Sequence, residues 1–253
     1  MKLPILPLSL VLVFVCSISA GAQKRKQLSE VRKAAVVIDE SLSVLRAKPS
    51  LYAQSIQRMR RGRRVQIIGS VDADGVKFYK VTAPRGRFGW IQSDAVFART
   101  RASDEERLAK LVQAANGFDQ IELAARFLEL YPSSSFRPAI LLLVGDLLED
   151  AAAKLSRDAN SRLSRREMTA SGAPLHSYYL NFSMLDRYRR LGAVFLFDPS
   201  RRAFHYNGAT WSEIIRKHPA STEAKEANRR LESLTQKLNG GLEAAIGALE
   251  VRL

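Results

Sequence analysis

The spacing of apolar residues changes abruptly near residue 100. Upstream, short runs rich in β-branched residues alternate with turn-forming sequences; downstream, apolar residues recur every three or four positions. A period of two belongs to strands that bury alternate side chains, and a period near 3.6 to helices that bury one stripe. The chain is therefore expected to be multidomain: a small all-β barrel over residues 34–100, followed by an all-α domain over residues 101–253.

Within the first part, strands are expected at 35–38, 41–46 and 57–59, the last leading into a turn at Arg60-Arg61-Gly62-Arg63. Residues 65–71 alternate well enough for a longer strand. Asp74-Gly75 is a strong hairpin signal, because a tight primed turn needs positive φ and glycine accepts it without strain. Residues 76–82 form the return strand, Pro84-Arg85-Gly86 the next turn, and 87–92 the closing strand. Short strands joined by tight turns in so small a segment suggest a closed or nearly closed barrel.

Several of these residues occur in a familiar order. Ser43-Val44-Leu45-Arg46 is followed by Lys48-Pro49-Ser50, Met59-Arg60-Arg61-Gly62, Phe78-Tyr79-Lys80-Val81 and Gly86-Arg87-Phe88-Gly89-Trp90-Ile91. The segment resembles bacterial SH3 (SH3b) domains, with Ala47 and Phe78 where that family commonly has glycine and tryptophan. The resemblance implies binding, often to cell-wall peptides or partner domains, and a role as a targeting module beside hydrolases. The residues singled out for binding are the basic turn, Arg60, Arg61, Arg63 and Arg64 with Arg58 beside it, and an aromatic pair, Tyr79 and Trp90. Each has a structural alternative: a solvated hairpin for the arginines, and core packing for the two aromatics.

The helical part begins with Ser103 and Glu106, the spacing of a capping box. Leu108, Leu111, Val112 and Ala115 give the first apolar stripe. A second helix is expected from about 119 to 131, stopped by Pro132, and a third from about 136. Residues 158–174, rich in serine and arginine, read as a mobile loop. Helical pattern returns over 176–191, 204–218 and 221–238; Gly240-Gly241 is expected to break the chain before a last short helix. The stretch Phe127 to Ser134 echoes Ile214 to Ser221: a helix, an aromatic-Pro-small-small turn, then a second helix. Such echoes resemble tetratricopeptide-like (TPR-like) units of envelope assembly proteins, which dock proteins on a concave face. An irregular helical bundle is the alternative.

Residues 3–19 are almost wholly apolar and are followed by Ala20-Gly21-Ala22, with Lys2 the only charge before Lys24. This is the pattern of an export signal over residues 1–22, cut before Gln23, leaving a basic tether over 23–33. If uncleaved, the segment would serve as a membrane anchor. A periplasmic or secreted location follows. Cys16 is the single cysteine and falls in the signal. The mature chain is then without disulfides and without the thiol that a papain-like hydrolase needs.

The formal net charge is +15, which favours anionic partners through long-range attraction. Export points to peptidoglycan or another anionic envelope component, or to a protein partner, and away from nucleic acid. His176, His205 and His218 have no second histidine or cysteine at metal-ligand spacing. Glu105-Glu106 and Glu149-Asp150 are adjacent acids that a helix points apart, and they read as solvated faces. Tyr178, Tyr179, Phe182 and Tyr188 fall at helical spacing, which suits core packing or a ligand groove. No catalytic set, cofactor motif or metal site is expected. The reading is a non-enzymatic binding or scaffold protein; the rival is a peptidoglycan-acting enzyme or a regulator of a cell-wall hydrolase.

Overall fold

The computed structural model describes residues 33–83, 86–98 and 101–250. The expected export signal, and nearly all of the basic tether, lie outside these residues. The chain divides into two compact units, with the boundary after Asp104.

The first unit is a seven-stranded antiparallel sheet. Its strands are β1 (Lys33–Val37), β2 (Val44–Arg46), β3 (Ser55–Arg58), β4 (Arg64–Ala73), β5 (Val76–Ala83), β6 (Arg87–Gln92) and β7 (Val96–Phe97), in the order β3-β2-β6-β5-β4-β1-β7. The β4–β5 hairpin turns at Asp74-Gly75 with φ of 52° and 74°, the paired positive values of a type I′ turn. The sheet curls about one core. Leu45 of β2 shares a buried cluster with Val37 of β1 and Val96 of β7, from the far end of the strand order, and with Val65, Val81 and Ile91 between them. Backbone bonds complete the curl: Gly62 donates to Val37 O at 2.8 Å and Val37 to Arg63 O at 2.9 Å, so the β3–β4 turn is stitched to β1. At Gly89 a Cβ would lie 2.6 Å from Leu45 Cγ and 2.9 Å from Arg46 O. Only glycine permits β2 to approach β6 this closely.

The second unit is mainly helical. Helices α1 (Ala102–Ala114), α2 (Gly117–Leu130) and α3 (Arg137–Arg162) are followed by α4 (Arg165–Ser171), α5 (Leu175–Leu180) and α6 (Asp186–Arg189). A hairpin of β8 (Phe195–Asp198) and β9 (Ala203–Tyr206) precedes α7 (Ala209–Lys217) and α8 (Thr222–Glu250). The long α3 is the spine, packed by α2, β9, α7 and α8. Its stretch 140–144 is half-covered at Leu142 and Leu143 and fully buried at Ile140, Leu141 and Val144.

The echo between the two aromatic-Pro turns holds at the level of hydrogen bonds. Tyr131 N donates to Phe127 O, Ser134 N to Tyr131 O and Arg137 N to Ser134 O. The second turn repeats this as His218 N to Ile214 O, Ser221 N to His218 O and Ala224 N to Ser221 O. Each turn joins a packed helix pair, α2 with α3 and α7 with α8.

Several expectations fail here. The segment 158–174 is mostly helical: α3 runs on to Arg162, and Ser164 caps α4 by accepting from Glu167 N. The helix expected to start at Ser103 is found, but it begins at Ala102, so Ser103 lies inside its first turn and is not its cap. The continuous helix over 176–191 is interrupted at Asn181-Phe182 and resumes through a 3₁₀ turn, Ser183–Leu185. Phe204 belongs to strand β9, and helix begins only at Ala209. Gly240-Gly241 does not break α8.

Polar ties fix the spine. Ser156 Oγ donates to Ala152 O and accepts from Phe204 N, both at 2.7 Å, pinning β9 to α3. Arg137 bridges Leu128 O and Glu213, linking α2, α3 and α7. Glu149 was expected on a solvated face. It is instead half-buried: Oε2 accepts from Tyr206 N at 2.9 Å, and Oε1 lies 2.8 Å from Lys237 Nζ and 3.2 Å from His205 Nδ1. Burial alone would raise the Glu149 carboxyl. The hydrogen bonds from His205, Lys237 and Tyr206 N overcome it and hold the group down at about 2.

A carboxyl depressed on folding contributes stability above its unfolded value, near 4.5, and loses it as pH falls through about 2. The contribution is at most about 3 kcal/mol, and less after solvent screening. Glu149→Gln should therefore be less stable than the parent at pH 6–7, with the gap closing between about pH 4.5 and 2. Chemical denaturation across that range checks it. A gap that stays constant down to pH 2 would show that the ties carry no net electrostatic stabilisation.

Candidate functional site

The outer surface of the barrel carries a set of aromatic and basic side chains. On β6, Gly89 and Ile91 face inward, so Phe88 and Trp90 face out; Phe88 is 59% exposed and Trp90 half-buried. Register places Trp90 opposite Lys80 of β5 on one side and Arg46 of β2 on the other. The Lys80 ammonium lies 5.9 Å from the Trp90 ring centroid, within reach of a cation–π contact. Arg46 Nη1 donates to Ala53 O at 2.8 Å, in the β2–β3 loop. That loop also presents Tyr52, which is 91% exposed. Its base is fixed by Leu51 N, which donates to Asp74 Oδ2 at 2.7 Å. Hydrogen bonds from Ser50 and Leu51 hold the Asp74 carboxyl below its ordinary value, so the loop is clipped to the β4–β5 turn while Asp74 is ionised. Phe88 and Tyr52 were not singled out by sequence reading, although Phe88 lies inside the Gly86 to Ile91 motif.

The basic turn divides into two kinds of arginine. Arg60 and Arg63 are exposed, and their guanidinium groups make no hydrogen bond or ion pair among the described residues. Arg61 is half-buried: its Nε donates to Ile38 O at 3.1 Å and its backbone N–H to Glu40 Oε1. Arg64, exposed on β4, has a partner of its own. Arg58 donates to Glu40 O and Ser41 O. Gly62, at φ 81°, sets the reversal that brings these charges together. Arg61 and Arg58 thus help to build the turn, while Arg60 and Arg63 are the cations it presents.

Tyr79 is not part of this surface. It is 4% exposed and belongs to the core cluster with Val81 and Ile91. Its hydroxyl accepts from Arg101 Nη1 at 3.2 Å. The same guanidinium donates through Nη2 to Ser93 O and Val96 O, and through Nε to Asp104 Oδ1 at 2.6 Å. Asp104, with a fully buried side chain, also accepts from Ala98 N at 2.9 Å. Burial disfavours the charge on Arg101. The hydrogen bond and attraction of Asp104, with a smaller share from Tyr79, outweigh this and hold the guanidinium above its ordinary value. Tyr79 and Trp90 therefore lie on opposite sides of the sheet, and the structure does not bring them together as one aromatic face.

In the helical unit, Tyr179 stacks on Phe197 at 4.4 Å between centroids, and Tyr188 meets Phe118 and Phe195 edge-on. These rings are core. Tyr178 and Phe182 line a separate cleft at the ends of α3, α4 and α5. His218 closes α7, and His205 lies beside Glu149. Among the described residues there is no group of three or more His, Cys, Asp or Glu placed to hold a metal ion. No helix among them is long and apolar enough to cross a membrane.

Residues 41–96 match the family model of the bacterial SH3 domain. The match spans β2 to the start of β7 and contains the Trp90 face and the basic turn. It does not extend to the helical unit, whose likeness to tetratricopeptide repeats it leaves unsupported. No curated protein and no solved structure gives a significant match to the chain.

Proposed function

We propose that this chain is an exported, non-enzymatic binding protein of the bacterial cell envelope. Its barrel engages an anionic envelope component such as peptidoglycan through the Trp90 face and the basic turn, and its helix pairs dock a protein in the TPR-like manner. The observation that carries the reading is the pairing of exposed Phe88 and half-buried Trp90 with Lys80 and Arg46 on one side of a bacterial SH3 domain. Aromatic rings give apolar contact area at low entropic cost, and flanking cations attract a negatively charged polymer. The bacterial SH3 match supports a binding role, and the net charge of +15 supports an anionic partner.

The test separates the cations that face water from those that build the turn. Arg60→Ser with Arg63→Ser should leave the barrel folded, because neither side chain ties the backbone. A cation near an anionic surface contributes about 1 kcal/mol, so the double variant should weaken retention on purified sacculi roughly tenfold. Phe88→Ser should weaken it separately. Retention should also fall as salt rises, since exposed charges act over about 8–10 Å at physiological ionic strength. Retention that ignores salt and both sets of substitutions would remove the barrel as the binding element.

A further inference from the structure

The cleft at the end of the α3 spine belongs to the helical unit and stands apart from the barrel reading. It has a volume of about 590 Å³ and is lined by Arg162, Leu163, Ser177, Tyr178, Asn181 and Phe182, among others. That volume lies within the roughly 300–1,000 Å³ of small-molecule sites. Three kinds of group converge there. Arg162 brings a guanidinium at the last turn of α3, exposed and without an ion pair among the described residues. Tyr178, Phe182 and Leu163 bring an apolar wall. Asn181 uses its Nδ2 on Ser177 O at 2.8 Å, which leaves its Oδ1 as an acceptor.

We propose that this cleft binds the free carboxylate end of a short peptide. The planar guanidinium of Arg162 matches a carboxylate in a two-bond fork. The Asn181 acceptor suits a peptide N–H, and the rings of Tyr178 and Phe182 suit a small apolar side chain next to the terminus. A bare anion would use the arginines alone; a neutral apolar ligand would use the rings alone. A peptide terminus uses all three groups together, and the Arg162 cation complements its charge.

The test titrates the intact protein with acetyl-Ala-Ala bearing a free carboxylate, with the same dipeptide as its C-terminal amide, and with inorganic phosphate. Binding is read by calorimetry and by the tyrosine signals in NMR spectra. The carboxylate peptide should saturate a single site, and the amide should bind roughly tenfold more weakly, the loss of one charge-assisted contact. Arg162→Gln, at an exposed position, should leave the melting curve unchanged and erase the preference for the carboxylate. Tyr178→Ala, which removes the ring, should weaken binding of both peptides without changing that preference. Equal affinity for acid and amide would overturn the proposal, as would absence of saturation in the millimolar range. Phosphate displacing the peptide at equal concentration would reduce the site to an anion patch and overturn it too. Arg60→Ser with Arg63→Ser should leave all these titrations unaffected, so failure of the barrel reading is distinguishable from failure here.

Discussion

Trp211→Ala is expected to destabilise the helical unit by about 3–5 kcal/mol, the range for removing a buried tryptophan. Trp211 is 2% exposed and stands where α3, α7 and α8 meet. Its indole lies directly on the α3 backbone: a Cβ at Gly145 would fall 2.2 Å from Nε1 and 2.6 Å from Cε2. Tyr206 meets the ring edge-on at 5.5 Å. At its closest approach to α3 the indole faces Gly145, which has no side chain to move into the space it leaves. Gly145→Ala alone should also destabilise, by about 1–3 kcal/mol from overpacking, partly offset by the better helix propensity of alanine. The two changes should couple. In the double variant the new methyl occupies space vacated by the indole, so its loss should be smaller than the sum of the single losses. Urea unfolding followed by far-UV circular dichroism measures all three. Strict additivity would mean that Gly145 and Trp211 do not share one packing problem.

Much of the barrel is readable because its turns carry local chemistry. Asp74-Gly75 and Gly62 adopt the positive φ their identities allow, and the alternation of 65–71 and 76–82 survives as the β4–β5 hairpin. The helical unit is less readable where elements are short. β8 and β9 have four residues each, too few for a period of two to be told from a helical stripe; Phe204 was therefore assigned to the wrong element. β9 is tied to α3 through Ser156 and Glu149, some fifty residues away, which local pattern cannot anticipate. The capping-box spacing gives opposite outcomes at two places. At Ser164 it caps a helix; at Ser103 it lies within one that began earlier, beside Asp104, whose carboxylate is engaged with Arg101. Gly240-Gly241 shows the limit of propensity: each glycine costs about 1 kcal/mol in a helix, which lowers stability without supplying a turn. At the candidate site, Trp90 and the basic turn were found from a motif and from charge. The orientation of Tyr79 was not, because both Phe78 and Tyr79 are buried and simple alternation fails at that pair.

Arg101→Met is expected to destabilise the barrel by about 3 kcal/mol, near the lower end of the range for breaking a buried ion pair. The lower end applies because the Arg101 side chain is 23% exposed and Asp104 has further partners. Methionine keeps the apolar stem over the Tyr79 ring, whose centroid lies 5.8 Å from the guanidinium carbon, and removes only the fork. Four acceptors then lose a donor: Tyr79 Oη, Ser93 O, Val96 O and Asp104 Oδ1. Two of these are carbonyls around β7, so the end of the sheet should loosen first, and amide exchange should quicken at Ala98, whose N–H is held by Asp104. Arg101→Lys keeps the charge but offers a compact ammonium in place of the fork; it should recover a minor part of the loss. Tyr79→Phe removes one acceptor and should cost about 1 kcal/mol. Adding Asp104→Asn to Arg101→Met should restore stability relative to Arg101→Met alone, since a neutral amide no longer needs a cation in a buried place. Thermal and urea unfolding of the intact chain, with amide exchange at Ala98, decide the matter. If Arg101→Met costs under about 0.5 kcal/mol, as surface substitutions do, the network is incidental and Tyr79 is held by packing alone.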